Sequence, residues 1–196
     1  MQERYHDLIS AMAKTYNRML KEFRPCKPGS EFLEQNLITL LAHEFLCQYP
    51  NGIAYTEIPF TPPEDDSWKS RLDAYMATSE FGLLVEAKGS KSRVELFKSI
   101  EEDLTRIYSP KLKSSFAEMA IGNCKKSKLN RSYILPKSMH GLIVADCWSE
   151  DTAKAWEENP YFNNPCFNLI TKALPMGEYG GYKYFILYAI TEQLDW

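Results

Sequence analysis

The sequence predicts an α/β fold in which a central mixed sheet is flanked by helices. Three observations lead to this prediction. Two amphipathic helical patterns open the chain, two short strands joined by a tight turn follow, and a third helical pattern then precedes a strand that is apolar on both faces. The predicted order is helix, helix, three strands, helix, strand, helix, strand. A chain of 196 residues is long enough for one substantial core, so we predict a single domain covering residues 1–196.

Both opening helices have recognisable boundaries. The first is predicted over about residues 3–23 and ends before the breaker segment Pro25–Gly29, and it is expected to pack on the rest of the domain. Ser30 is a favourable N-cap residue for the second helix, which runs to about Cys47. Apolar side chains recur on one face of this second helix at helical spacing, which is typical of a core helix: Leu33, Leu37, Leu40, Leu41 and Phe45.

Three strands are predicted in the middle of the chain. The first covers Ile53–Ile58, and the next two cover Arg71–Ala77 and Phe81–Ala87. The tight turn at Ser79 and Glu80 joins the last two strands into a β-hairpin. The second hairpin strand is apolar on both faces, which is typical of a central strand.

The remaining elements follow the hairpin. The segment Ser92–Glu95 has the spacing of a capping box, and apolar residues continue at helical intervals as far as Ile107. The segment Lys111–Lys137 is expected to be part helix and part loop. A buried strand is predicted over His140–Cys147 and a last strand over Tyr182–Ile190, with a helix between them.

Composition excludes several classes of protein. The net charge of −3 and the pI of about 5.7 mean that the surface as a whole does not attract nucleic acid, so any such binding must be local. The five cysteines are scattered with no Cys-x-x-Cys pair, which favours reduced, buried thiols over a zinc or iron-sulfur site. A secretion signal and a membrane-spanning stretch are both missing from the sequence pattern, so a soluble, cytoplasmic protein is expected.

Charged residues stand at the end of the predicted central strand, where burial is costly. Glu86 and Lys88 are two residues apart on a strand and therefore share a face, while the intervening Ala87 points into the opposite layer. Asp73, on the neighbouring strand, falls roughly opposite Glu86 if the strands pair about the turn. Two facing carboxylates repel each other unless a positive charge lies between them, and a divalent cation would supply that charge.

The residue types indicate phosphodiester hydrolysis. Mg²⁺ prefers oxygen ligands, retains several waters and needs only one or two protein carboxylates, which Asp73 and Glu86 provide. Such an ion lowers the pKa of a bound water and neutralises charge that develops on a phosphodiester. Lys88 can orient the nucleophile or stabilise the pentavalent phosphate.

Asp73, followed after twelve residues by Glu86-Ala87-Lys88, resembles the Asp...Glu-x-Lys signature of PD-(D/E)XK nucleases, which include restriction endonucleases and Holliday-junction resolvases. Those families place a helix with an acidic residue before the hairpin, and Glu34 lies in a similar element. The resemblance covers about residues 30–108 and extends more loosely to the strands at 141 and 182. Leu72 departs from the pattern, because a proline often precedes the aspartate.

The resemblance implies a restriction-endonuclease-like α/β sandwich and a nuclease that uses Mg²⁺ or Mn²⁺. Asp73, Glu86 and the backbone carbonyl of Ala87 would bind the metal, Lys88 would assist the attacking water, and Glu34 would support the site. DNA is the expected substrate. Many such enzymes cut two strands as dimers, so a homodimer is compatible with the resemblance.

Nucleic-acid contacts are predicted in one basic segment, since lysines attract phosphates regardless of sequence. The alternative is a solvated loop. The predicted contact residues are Lys111, Lys113, Lys125, Lys126, Lys128 and Arg131, and Lys137 closes the same segment.

The charged residues also fit purely structural roles. Glu34 lies in a first helical turn, where acids are favoured by the helix dipole. Asp73 could pair with Arg71 or Lys69, and Glu86 with Lys88 could form a charge ladder on the surface. The alternative function is a non-catalytic module of the same fold that binds nucleic acid or a protein partner, and an unrelated α/β domain is a third hypothesis.

The helix after the motif carries a further polar set. Lys98, Glu102 and Arg106 share one face of this helix, where related enzymes often add an accessory residue. A simple solvent face also accounts for these three side chains.

Overall fold

The computed structural model describes residues 2–22, 34–60, 70–89, 91–116, 136–158 and 167–195. The helices are α1 (Gln2–Glu22), α2 (Glu34–Gln48), α3 (Arg93–Ile107), α4 (described at residues 110–116) and α5 (Glu150–Glu158). The strands are β1 (Ile53–Phe60), β2 (Ser70–Ala77), β3 (Phe81–Lys88), β4 (Ser138–Cys147), β5 (Leu169–Tyr179) and β6 (Tyr182–Thr191).

The six strands form one mixed sheet in the order β1-β2-β3-β4-β6-β5. Strands β3 and β4 are parallel, and all other neighbouring strands are antiparallel. A parallel pair needs a long crossover, and α3 lies in the connection between β3 and β4. The two parallel strands occupy the middle of the sheet, which agrees with their apolar sequences.

Helices cover both faces of the sheet. One buried cluster joins α1 and α2 to alternate strand residues such as Val85 and Val144. The other joins α3, α4 and α5 to the intervening strand residues, such as Leu84 and Ile143. Because neighbouring strand residues point to opposite faces, the apolar runs of β3 and β4 supply both layers. The predicted α/β arrangement, a mixed sheet between helices, is confirmed at this level.

The hairpin and the capped helix are both present as predicted. The turn between β2 and β3 is closed by the Thr78 N–H, which donates to the Phe81 carbonyl oxygen (2.9 Å). At the start of α3, the Ser92 hydroxyl donates to Glu95 Oε2 (2.6 Å) and accepts from the Glu95 N–H (3.4 Å). The Ser92 hydroxyl thus satisfies the Glu95 N–H, a donor that the first helical turn otherwise leaves open. It fixes where α3 begins, immediately after the charged end of β3. The predicted N-cap of the second helix, Ser30, lies outside the described residues.

The sequence prediction was wrong in one respect, because it lacked a strand of the sheet. Between β4 and β6 the sequence predicted only a helix, whereas the structure contains both α5 and β5. Strand β5 is mostly half-exposed, and Lys172, Pro175 and Gly177 interrupt its apolar pattern. The sequence nevertheless contained a hairpin signal, the Gly180-Gly181 pair. In the structure both glycines have positive φ (62° and 84°), the conformation that tight two-residue hairpin turns require.

Candidate functional site

The site begins with two side chains at the C-terminal end of β3. In the parallel pairing, Glu86 lies beside Ile143 and Lys88 lies beside Ala145. Both partners belong to the buried cluster on the α3 side, whereas Ala87 belongs to the cluster on the α1 and α2 side. Glu86 and Lys88 therefore face the same layer, beneath α3.

Asp73 reaches the same end of β3 from β2. The pairing of the two strands extends to Ala74 opposite Val85, so Asp73 is the next residue along β2. Its Oδ2 accepts a hydrogen bond from the Ala87 N–H (2.7 Å). Asp73 thus binds the backbone between Glu86 and Lys88. The carbonyl of Ala87 remains a predicted metal ligand.

Glu86 is almost completely buried, with 1% of its surface exposed. The pKa of this carboxyl group is raised to about 9, chiefly by burial and also by the nearby Asp103 and Asp73 carboxylates, while Arg106 and Lys88 act in the opposite direction. Because Glu86 is buried, it cannot form a charge ladder with Lys88 on the protein surface. A carboxyl group with so high a pKa is a candidate for a functional role.

Helix α3 closes the site with two further charged residues. Lys88 Nζ lies 2.6 Å from Asp103 Oδ2. Arg106 Nη2 donates both to Glu86 Oε1 and to Asp103 Oδ1, each at 2.6 Å. Asp103 is only 4% exposed. Lys88 is also largely buried, and although burial acts to lower its pKa, the Asp103 carboxylate more than compensates and the pKa is raised.

Among the described residues, the cluster contains more acidic groups than basic ones. Three carboxyl groups, those of Asp73, Glu86 and Asp103, are in electrostatic contact with two cations, Lys88 and Arg106. Lys88 pairs with Asp103, and Arg106 is shared between Asp103 and Glu86, so the two cations do not fully compensate three carboxyl groups and burial prevails at Glu86. The cluster therefore favours one additional positive charge, either a proton on Glu86 or a cation.

These residues fit a hard divalent cation. Glu86 and Asp73 each use one oxygen in their contacts with Arg106 and the Ala87 N–H, and each carboxyl group has a second oxygen. Within the described residues, no group of three or more histidine, cysteine, aspartate or glutamate side chains has an arrangement that would hold a metal. An ion here would depend on two carboxylates, the Ala87 carbonyl and water, which is the ligand set that Mg²⁺ accepts.

Glu34 reaches the end of β3 from the opposite face of the sheet. It is the first residue of α2, and its Oε1 accepts a hydrogen bond from the Gly89 N–H (2.9 Å). Lys91 Nζ lies 3.9 Å from the same oxygen. Glu34 thus ties α2 to the residue that follows Lys88. The contact is with backbone rather than with the other acidic side chains.

The predicted nucleic-acid contacts are only partly within the described residues. Lys111 is exposed on α4, whereas Lys113 donates to the Asp195 carbonyl oxygen. Lys137 pairs with Glu80 at 2.9 Å. The other predicted contacts lie outside the described residues: Lys125, Lys126, Lys128 and Arg131.

Sequence reasoning missed Asp103 and misjudged Arg106. Asp103 lies three residues after Ile100 and four before Ile107, both of which are buried on the apolar face of α3. An acidic residue at such a position was the available signal, because a charge on a buried helix face needs a partner. Arg106 was grouped with Lys98 and Glu102 on a polar face, but only those two are exposed. Arg71, one of the two surface partners considered for Asp73, instead lies 3.4 Å from Glu57, and the other, Lys69, lies outside the described residues.

No model of a known protein family, no curated protein and no solved structure matches this chain significantly. The fold and the site define an α/β sandwich with a buried cluster of carboxylates and cations at the end of its central parallel strands. None of the described helices is long and apolar enough to cross a membrane.

Proposed function

We propose that this chain is a metal-dependent nuclease with a PD-(D/E)XK core and a restriction-endonuclease-like fold. The observation that carries the proposal is the buried Glu86, which shares a face with Lys88 and lies beside Asp73 at the end of a central strand. Burying a carboxyl group and an ammonium at the end of an apolar strand is costly, so a functional demand offers a reason for it.

The proposed roles follow from the positions of the side chains. Asp73 and Glu86 would hold Mg²⁺ or Mn²⁺ together with the Ala87 carbonyl, and the bound ion would supply an acidified water and neutralise phosphate charge. Lys88 is held in place by Asp103 and would orient the attacking water. Glu34 would support the site through Gly89.

DNA is the proposed substrate. Phosphate contacts would come from the basic segment that includes Lys111, because the chain as a whole is acidic. The enzyme would act in the cytoplasm, and a homodimer would suit the cutting of two strands.

A non-catalytic module that binds nucleic acid or a protein partner is the second candidate, and one observation favours it. The ion pairs of Arg106 with Glu86 and of Lys88 with Asp103 already compensate much of the negative charge without a metal. A closed ion-pair network of this kind can be a purely structural feature.

Cleavage assays on Lys88 variants separate the two candidates. We expect the native protein to cut at least one member of a panel of DNA and RNA substrates with Mg²⁺ or Mn²⁺ but not with EDTA. We expect Lys88→Met to lower the rate ~100-fold, the order of effect seen when a group that stabilises the transition state is lost. Lys98→Met is the matched control, since Lys98 is an exposed lysine on α3, and it should retain native activity.

A second variant guards against loss of folding. Lys88→Met leaves the buried Asp103 without its ammonium partner, whereas Asp73→Asn keeps an oxygen that can accept from the Ala87 N–H. Asp73→Asn should abolish cleavage while its circular dichroism spectrum stays native. Nucleic-acid binding that survives EDTA, with no turnover of any substrate, would instead support the non-catalytic module.

A further inference from the structure

Arg106 occupies an unusual position for a surface-facing helix residue. Its side chain is 28% exposed, yet its Nη2 lies 2.6 Å from Glu86 Oε1, an atom of a carboxyl group that is almost fully buried. The same nitrogen lies 2.6 Å from Asp103 Oδ1, one turn earlier on α3. Arg106 is therefore shared between two carboxylates, one on the sheet and one on its own helix.

A cation at this position competes with a metal for Glu86. Two cations on one buried carboxylate repel each other strongly, because the interior screens charge poorly. Arg106 can leave Glu86 and remain at the site, since Asp103 holds it from the same helix and its exposed part gives it room to move. Lys88 is less exposed, at 13%, and its ion pair is with Asp103 and not with Glu86.

We propose that Arg106 is the resident counter-ion of Glu86 in the metal-free protein, that a divalent cation displaces it from Glu86, and that Asp103 retains it beside the site. This inference rests on the proposed metal-binding function. It makes Arg106 a positioning residue that sets the metal affinity of Glu86. Removing Arg106 should tighten binding of the ion, because the guanidinium lies 2.6 Å from Glu86 Oε1 and repels a divalent ion bound to the same carboxylate.

Mn²⁺ binding to the full chain, measured by isothermal titration calorimetry at one fixed pH without nucleic acid, tests the proposal. We expect Arg106→Gln to bind Mn²⁺ about tenfold more tightly than the native protein, the order of effect of one neighbouring charge on a carboxylate. Lys98→Gln, which removes one positive charge from an exposed position of α3, should stay within about twofold of the native affinity. Arg106→Lys keeps the charge and should stay near the native affinity.

The Arg106→Gln variant is expected to fold, because Asp103 keeps Lys88 as its partner; thermal unfolding in EDTA checks this. If the native protein binds Mn²⁺ and Arg106→Gln binds it equally or more weakly, the counter-ion proposal is overturned while the proposed function stands. If neither protein binds Mn²⁺, both proposals fail. If Lys98→Gln tightens binding as much as Arg106→Gln does, the effect is one of general charge and the specific role of Arg106 is refuted.

Discussion

The Glu86 carboxyl group connects all the charged residues at the end of β3. It lies on the same face as Lys88, beside the backbone that Asp73 binds, and within hydrogen-bond distance of Arg106. Burial and the Asp103 carboxylate raise the pKa of this group to about 9, although Arg106 and Lys88 act in the opposite direction. Each of these contacts couples the charge of Glu86 to the stability of the fold.

The stability of the metal-free protein should depend on pH through Glu86. The folded pKa of about 9 exceeds the ordinary value of 4.5, so the bound proton stabilises the fold fully below pH 4.5, and this contribution is lost as the pH rises towards 9. Glu86→Gln keeps the size of the side chain and an oxygen for Arg106, but it has no such titration. In urea unfolding with EDTA, we expect the native protein to lose about 1 kcal/mol per pH unit relative to the variant between these values.

The comparison between the two proteins isolates Glu86, because Asp73, Lys88, Asp103 and Arg106 are present in both. Parallel stability curves across pH 5 to 9 would show that Glu86 titrates normally in the folded protein. That result would remove the argument that the cluster favours an additional cation.

At the residue scale, strand periodicity was enough to bring Glu86 and Lys88 to one face, and hairpin register was enough to bring Asp73 close to them. Both are local rules that act within one hairpin. The contacts of Asp103 and Arg106 depend on how α3 is rotated about its axis when it packs on the sheet. The whole apolar face of α3 determines that rotation. The sequence pattern placed Arg106 on the solvent-facing side of the helix, whereas in the structure it contacts Glu86 and Asp103.

At the scale of elements, α3 carries two of the five charged residues of the cluster, Asp103 and Arg106, and its first turn is fixed by a capping box. Ser92→Ala removes both the acceptor for the Glu95 N–H and the donor to the Glu95 carboxylate. We expect a loss of about 1 kcal/mol in the free energy of unfolding, measured in urea. Thr105→Ala, at an exposed mid-helix residue whose hydroxyl donates to the Glu101 carbonyl, should change stability by less than about 0.5 kcal/mol. Equal effects of the two substitutions would contradict a specific role for the cap.

The sequence predicted elements well where one physical signal was strong. The hairpin, the capped helix and the apolar strand β4 each follow from a turn, a cap or a run of buried residues. Strand β5 was missed because its side chains are mostly half-exposed at the edge of the sheet, where burial imposes little alternation. Its existence depends on pairing with β6, which is a tertiary contact.

At the scale of the whole molecule, the sheet order brings the charged groups together. The parallel neighbours β3 and β4 lie at the centre, β2 supplies Asp73 from one side, and α3 returns over the C-terminal ends of the strands. Glu34 approaches the same end from α2, on the other face. Five elements thus meet at one end of the sheet, which is where a site in an α/β fold is expected.

The overall acidity of the chain limits how a nucleic acid could approach this end. With a net charge of −3, long-range attraction would not come from the molecule as a whole. Lys113 and Lys137 already have partners within the protein, and Lys111 is exposed. Local basic residues near the site would therefore have to supply the phosphate contacts.

Anomalous diffraction from crystals of the native protein grown with Mn²⁺ tests the central claim most directly. We expect one strong anomalous peak within about 2.5 Å of oxygen atoms of both Asp73 and Glu86, with Arg106 moved away from Glu86 and still paired with Asp103. Crystals grown with EDTA serve as the control and should show Arg106 on Glu86. A crystal with Mn²⁺ that shows no peak between Asp73 and Glu86, and an unchanged Arg106 contact, would contradict the metal site and the function proposed from it.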